Sequence, residues 1–154
     1  MPSRSNDTTV PPIEGLLTLP AEIGNVPVFL EHVRQCAQRV ALDPGRVAEL
    51  ELAVEEAVAN VCTHGYPQGG GDVEIRCSME AGGRRLCVEI ADSGEPFDVG
   101  AAAGPDLTGG LEDRPVGGLG IHLIRQLADE IHYERSGDRN ILRIMISARP
   151  GDEG

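Results

Sequence analysis

Residues 72–94, DVEIRCSMEAGGRRLCVEIADSG, decide the fold. Apolar and polar residues alternate from Asp72 to Glu80 and again from Arg84 to Ala91, the period of a strand with one buried face. Gly82-Gly83 between them supplies the backbone freedom of a tight hairpin. Counting back from that turn pairs Met79 with Leu86, Cys77 with Val88, Ile75 with Ile90 and Val73 with Asp92. One face is therefore apolar until its last pair, where a carboxylate stands at the rim. Such a carboxylate is costly to bury unless it meets a hydrogen-bond donor, which a ligand could supply. Cys87 points to the opposite face and cannot bridge Cys77.

Upstream, Gly45 to Thr63 reads as a helix with Asp43 as N-cap, Pro44 in its first turn, and His64-Gly65 and Pro67 closing it. Its apolar stripe is Val47, Leu50, Ala53, Val54, Ala57, Val58 and Val61. Asn25 to Leu42 reads as an earlier helix, with Phe29, Val33, Cys36, Ala37 and Val40 at helical spacing, and Glu14 to Leu19 as a short strand. Downstream, Gly94 to Val116 is rich in Gly, Pro and Ala without a clean period, which predicts a mobile lid. Gly117 to Gly120 opens a third helix carrying Ile121, Ile124, Leu127 and Ala128. A final hairpin follows, Glu130 to Arg135 and Asn140 to Ala148, turned by Ser136-Gly137-Asp138. The order predicts an α+β two-layer sandwich: a mixed, mostly antiparallel sheet covered on one face by three helices, over residues 13–149, with flexible termini at 1–12 and 150–154.

Composition narrows the function. The chain has 154 residues, a length that suits one domain with a sizeable core, and no apolar run long enough to span a membrane. Its net charge is 13 − 25 = −12, and every cation is Arg. That field repels phosphate backbones, so nonspecific nucleic-acid binding is not expected. The polar, Pro-containing start lacks a signal-peptide core, which points to the cytoplasm. Cys36, Cys62, Cys77 and Cys87 show no CxxC spacing and read as core residues, His32, His122 and His132 have no partner at metal-ligand spacing, and zinc is not expected.

Four features carry chemistry. Stepping about 100° per residue puts Glu56 and Asn60 on one flank of the second helix, beside the core. An amide oxygen there can ligate Mg²⁺ while a carboxylate accepts a hydroxyl proton, the needs of phosphoryl transfer; a solvated acidic face would look the same on spacing alone. Glu49, Glu51 and Glu55 read as such a solvated face. Asp92-Ser93-Gly94 could accept from an adenine amine and let a flat ring approach the backbone, or be a simple turn. Gly117-Gly118-Leu119-Gly120 would turn free amides at a helix start toward a phosphate, or be a hinge.

In this order the features resemble the GHKL ATPases. EEAVANVCTHGYP, residues 55–67, is similar to the N-box of the anti-sigma factor serine kinases, whose pattern is close to E-A-V-x-N-x-x-x-H-G-Y; it matches at Glu56, Ala57, Val58, Asn60, His64, Gly65 and Tyr66. Asp92-Ser-Gly94-Glu-Pro-Phe-Asp98 is similar to the family's first glycine box and Gly117-Gly118-Leu119-Gly120-Ile121 to its second. The resemblance implies the GHKL, or Bergerat, fold and use of Mg·ATP. It implies Glu56 as catalytic base, Asn60 as Mg²⁺ ligand, Asp92 on the adenine amine, Gly94 permitting the approach, and Gly118 and Gly120 flanking the phosphates, with Gly117 and Leu119 in the same box. His64 is expected to cap the helix end. Pro96 stands where many relatives have a second glycine, and the lid contains no Lys. Its sole cation, Arg114, is assigned to the γ-phosphate from charge and position.

The implied function is a serine/threonine kinase that holds a sigma factor inactive and phosphorylates a small STAS-type anti-anti-sigma protein. Members commonly work as homodimers. The alternative is a nucleotide-gated binding module that sequesters a regulator without transferring phosphate. A histidine kinase is disfavoured, because no long phosphoacceptor helix precedes the domain.

Overall fold

The computed structural model describes residues 15–40, 42–80, 85–96 and 123–147. Five strands, β1 (Leu16–Pro20), β2 (Asp72–Glu80), β3 (Arg85–Asp92), β4 (Glu130–Ser136) and β5 (Arg139–Ser147), form one sheet in the order β1-β2-β3-β5-β4. Every pairing among the described residues is antiparallel. The first hairpin has the register that its alternation predicts: Met79 pairs with Leu86, Cys77 with Val88, Ile75 with Ile90 and Val73 with Asp92. In the second, Gly137 takes a left-handed φ of 64°, and only Gly137 and Asp138 separate the paired residues Ser136 and Arg139.

Two helices are complete. In α1 (Val26–Arg39), Val26, Phe29, Val33, Cys36 and Ala37 are buried. In α2 (Pro44–Asn60), the Asp43 side chain accepts from the Gly45 amide at 3.2 Å and Pro44 starts the first turn. The predicted end at Thr63 is not reached as α-helix: Val61–Gly65 is a π-turn. Thr63 Oγ1 donates to Ala59 O at 2.7 Å, occupying a carbonyl of the helix ladder just before the turn. Arg34 of α1 forks onto Glu51 of α2 at 2.8 and 3.0 Å, and Arg46 onto Glu49 at 2.6 Å. Glu49 and Glu51 are therefore ion-paired, and Glu55 of the expected solvated face is exposed. Of the third helix, residues 123–127 are helical, with Ile124 fully buried.

The inward sheet face carries Val73, Ile75, Leu86, Val88, Ile144 and Ile146, all fully buried against Phe29, Leu50, Val54 and Val58 of the helices. Burying each such side chain stabilises the fold by roughly 1.5–3 kcal/mol. The outward face is a charged lattice, with Arg143 on Glu89 and Glu134, Arg139 on Glu74, and Arg85 on Glu130. Cys87 is buried on that outward face, opposite to Cys77, as the register requires.

Candidate functional site

Three neighbouring strands end their inward faces in polar residues. In register, Asp92 of β3 stands beside Asn140 of β5, and Asn140 beside Arg135 of β4. Asp92 is buried, and its Oδ1 accepts from the Gly94 amide and from Asn140 Nδ2, each at 2.8 Å. Asn140, buried as well, donates also to Glu95 O at 2.8 Å. Its Oδ1 accepts from the Tyr133 hydroxyl and, at 3.0 Å, from Arg135 Nη1, which also donates to Gly94 O at 2.8 Å. The rim carboxylate is thus met by donors of its own chain. Burial pushes its pKa above the ordinary carboxylate range, while the bonds from Asn140 and Gly94 and the nearby Arg135 and Arg139 charges pull the other way. Its Oδ2 makes no hydrogen bond to the described residues.

The turn that ends α2 meets this strand end directly. Glu95 N donates to Gly65 O at 2.7 Å. A Cβ on Gly94 would lie 2.3 Å from Gly65 O, so Gly94 is glycine because two backbones touch there. That reason differs from the expected approach of a flat ring. Tyr66 clamps the junction: its hydroxyl donates to Asp72 O at 2.8 Å and accepts from the Ser93 amide at 2.7 Å. Tyr66 also sits where Gly71 has no side chain, since a Cβ there would overlap its ring at 1.9 Å. Gly94 and Glu95, where the predicted lid begins, are bonded to the core, and its residues from 97 on lie outside the described residues.

On α2, Glu56 and Asn60 are half-buried, one turn apart on the flank that the wheel predicts. Neither side chain hydrogen-bonds to another described residue. The amide oxygen of Asn60 is a hard donor of the kind Mg²⁺ takes, and Glu56 places a carboxylate beside it. His64 is exposed within the π-turn. A cavity of about 320 Å³ opens between the end of α2 and the strand end, walled by Gly65, Tyr66 and Gln68 on one side and Ser93, Glu95 and Arg135 on the other. Glu56, Asn60 and Asp92 do not line it among the described residues; the three residues that follow Asp92 do.

The structure thus joins the end of the N-box to the first glycine box through the contact of Gly65 with Gly94. Arg114, Gly117, Gly118, Leu119 and Gly120 lie outside the described residues. Asn140 and Arg135 are the members that sequence reasoning missed. The signal was present: Asn140 interrupts the inward series Leu142, Ile144, Ile146, and Arg135 interrupts the series Ile131, Tyr133.

A helix pair packed on one face of an antiparallel sheet defines a two-layer α+β domain. Residues 19–146 match the model of the histidine kinase-like ATPase domain, and the chain belongs to that family. Within it, the chain is 30% identical over 141 residues to the serine-protein kinase RsbW of Halalkalibacterium halodurans, covering 89% of this chain and 84% of that relative. It is 28% identical over 130 residues to the serine-protein kinase RsbW of Bacillus cereus, covering 82% of this chain and 80% of the relative. Both relatives are named serine-protein kinases, in line with the serine kinases that the N-box resembles. Two solved structures share the fold. The RsbU and RsbW domains of Rv1364c from Mycobacterium tuberculosis align with a TM-score of 0.59 at 16% identity, over 86% of this chain and 32% of that one. The histidine kinase domain of the Erythrobacter litoralis EL346 blue-light activated histidine kinase aligns at 0.52 and 19% identity, over 84% and 62%. Among the described residues no helix is long and apolar enough to cross a membrane.

Proposed function

We propose that this protein is a Mg·ATP-dependent serine/threonine kinase that acts as a cytoplasmic anti-sigma factor, holding a sigma factor and phosphorylating a STAS-type anti-anti-sigma protein. The observation that carries the reading is the pair Glu56 and Asn60. Both are half-buried, with no side-chain hydrogen bond to another described residue, on the helix whose end packs against the Asp92 turn. The names of the RsbW relatives support the choice of serine as phosphoacceptor.

The roles follow from chemistry. Asp92 accepts from the adenine amine through the oxygen that Asn140 and Gly94 leave free. Asn60 offers its amide oxygen to Mg²⁺, which when bound neutralises charge on the phosphates. Glu56 takes the proton of the incoming serine hydroxyl as that oxygen attacks the γ-phosphorus, and the bond to the β-phosphate oxygen breaks to release ADP. Gly117, Gly118, Leu119 and Gly120 present amides to the phosphates, and Arg114 reaches the γ-phosphate. The net charge of −12 suits a partner with a basic surface, as a sigma factor has, and disfavours direct contact with DNA.

Glu56→Gln tests the mechanism. ATP affinity, measured by calorimetry, should stay within about twofold, while transfer of labelled phosphate to the cognate anti-anti-sigma protein should fall at least ~100-fold, the scale of a lost general base. Transfer that survives the substitution removes Glu56 as the base. Sigma-factor retention without any transfer by the wild type would leave a nucleotide-gated binding module.

A further inference from the structure

The fold assembles a second cluster that sequence spacing hides. His32 and Cys36 lie four residues apart on α1 and so share one face. Cys77 of β2 stands opposite that face, and the donor atoms of the three side chains all lie within 4.8 Å of one another. Cys36 and Cys77 are 4% and 1% exposed. The expectation that His32, His122 and His132 have no partner at metal-ligand spacing is corrected here for His32: its partners come from the helix register and from Cys77, 45 residues further on.

We propose that His32, Cys36 and Cys77 form a binding site for a soft divalent metal ion of the Zn²⁺ type. Two thiolates and an imidazole are the donors that such ions select over Mg²⁺ or Ca²⁺, and three protein ligands leave one coordination position for a further donor. Binding releases the two thiol protons to solvent, and two thiolates with one divalent cation make a neutral centre, which suits its burial.

The surroundings are shaped for the cluster. Gly15 passes over it with no room for a side chain: a Cβ there would lie 2.8 Å from Cys36 Sγ and 2.9 Å from His32 Nε2. The Gly15 carbonyl accepts from His32 Nε2 at 2.8 Å and from the Cys77 amide at 3.3 Å, so one backbone oxygen fixes both the ring and the strand. The cluster is separate from the nucleotide site. Cys77 stands four residues along β2 from Val73, the residue paired with Asp92, a separation of about 13 Å along a strand. An ion held there would tie α1 to β2 beneath the start of the edge strand β1.

The test is a titration of the full-length protein, kept under a non-thiol reductant, first with Co²⁺ and then with Zn²⁺. One equivalent of Co²⁺ should produce thiolate-to-metal charge-transfer absorption and the intense visible bands of tetrahedral coordination. Zn²⁺ should bleach both, and one equivalent of Zn²⁺ should raise Tm. Cys36→Ser should abolish the charge-transfer signal. His32→Ala, which alters a half-buried side chain and keeps both thiols, should weaken affinity by more than the roughly 10- to 100-fold that outer-shell changes cost. Cys62→Ser, outside the cluster, should bind as the wild type does. Wild-type protein that is folded by circular dichroism yet gives no stoichiometric cobalt spectrum overturns the site. An unchanged spectrum in His32→Ala, or one lost in Cys62→Ser, overturns the assignment of ligands.

Discussion

The two halves of the candidate site are held in opposite ways. At the strand ends, Asp92, Asn140, Arg135 and the Gly94 backbone are bonded to one another, and Tyr66 ties the neighbouring turn to the same junction. On α2, Glu56 and Asn60 make no side-chain hydrogen bond to another described residue. The first half is structure as much as site, because removing any member leaves a buried polar group without its partner. Among the described residues, no hydrogen bond of the fold depends on the side chains of the second half. Substitutions should therefore separate: strand-end changes alter stability, and helix-flank changes alter chemistry alone.

The largest expected effect tests that contrast at its strongest point. Asn140→Ala removes a donor to the buried Asp92 carboxylate together with the acceptor used by Tyr133 and Arg135, and should destabilise by about 2–3 kcal/mol. Thermal unfolding should show Tm lower by roughly 5–10 °C for a chain of this size. Gly94→Ala follows, because its Cβ would press on Gly65 O at 2.3 Å; about 1–3 kcal/mol should be lost in urea unfolding. Tyr66→Phe keeps the ring against Gly71 and deletes the hydroxyl that joins Ser93 and Asp72, for about 1 kcal/mol. Glu56→Gln should move stability by no more than about 0.5 kcal/mol. If it unfolds the protein as Asn140→Ala does, the division into a wired half and an unwired half is wrong.

Acid sharpens the comparison from outside the site. Burial pushes the Asp129 carboxyl up, but bonds from Arg46 at 2.7 Å and from the Ser147 amide at 2.6 Å outweigh it, and the net pKa is lowered. Its contribution is present above the ordinary value of 3.8 and is lost as pH falls through the lowered one. Asp92 has the opposite sign: its raised pKa favours folding below 3.8, and that contribution is lost as pH rises through the raised value. Urea midpoints followed below about pH 5 should fall less steeply for Asp129→Asn than for the wild type, and more steeply for Asp92→Asn.

What the sequence made legible was whatever a turn or a helix period could count. The hairpin register through Gly82-Gly83, including Asp92 at the rim, follows from counting back from a tight turn. Asp43 and Pro44 announce α2, and the wheel puts Glu56 and Asn60 on one flank. The pairing of β3 with β5 is a long-range register that no short turn connects. For that reason the sequence points to a ligand as the partner of Asp92, and Asn140 reads as one polar residue at a strand start. The π-turn was hidden too, since Val61 and Cys62 continue an ordinary helical pattern. The cluster of His32, Cys36 and Cys77 needed the packing of a helix on a strand before it could be seen.

The central claim is that the strand-end carboxylate binds the nucleotide base while the helix flank acts on the phosphates. The most direct test is calorimetric titration of Mg·ATP into the wild type, Asp92→Asn and Glu56→Gln, each first shown to be folded. Asp92→Asn should lose at least ~10-fold in affinity, the loss of a charge-assisted hydrogen bond, and Glu56→Gln should bind within about twofold of the wild type. Equal affinity in all three proteins, or a loss confined to Glu56→Gln, would contradict the account.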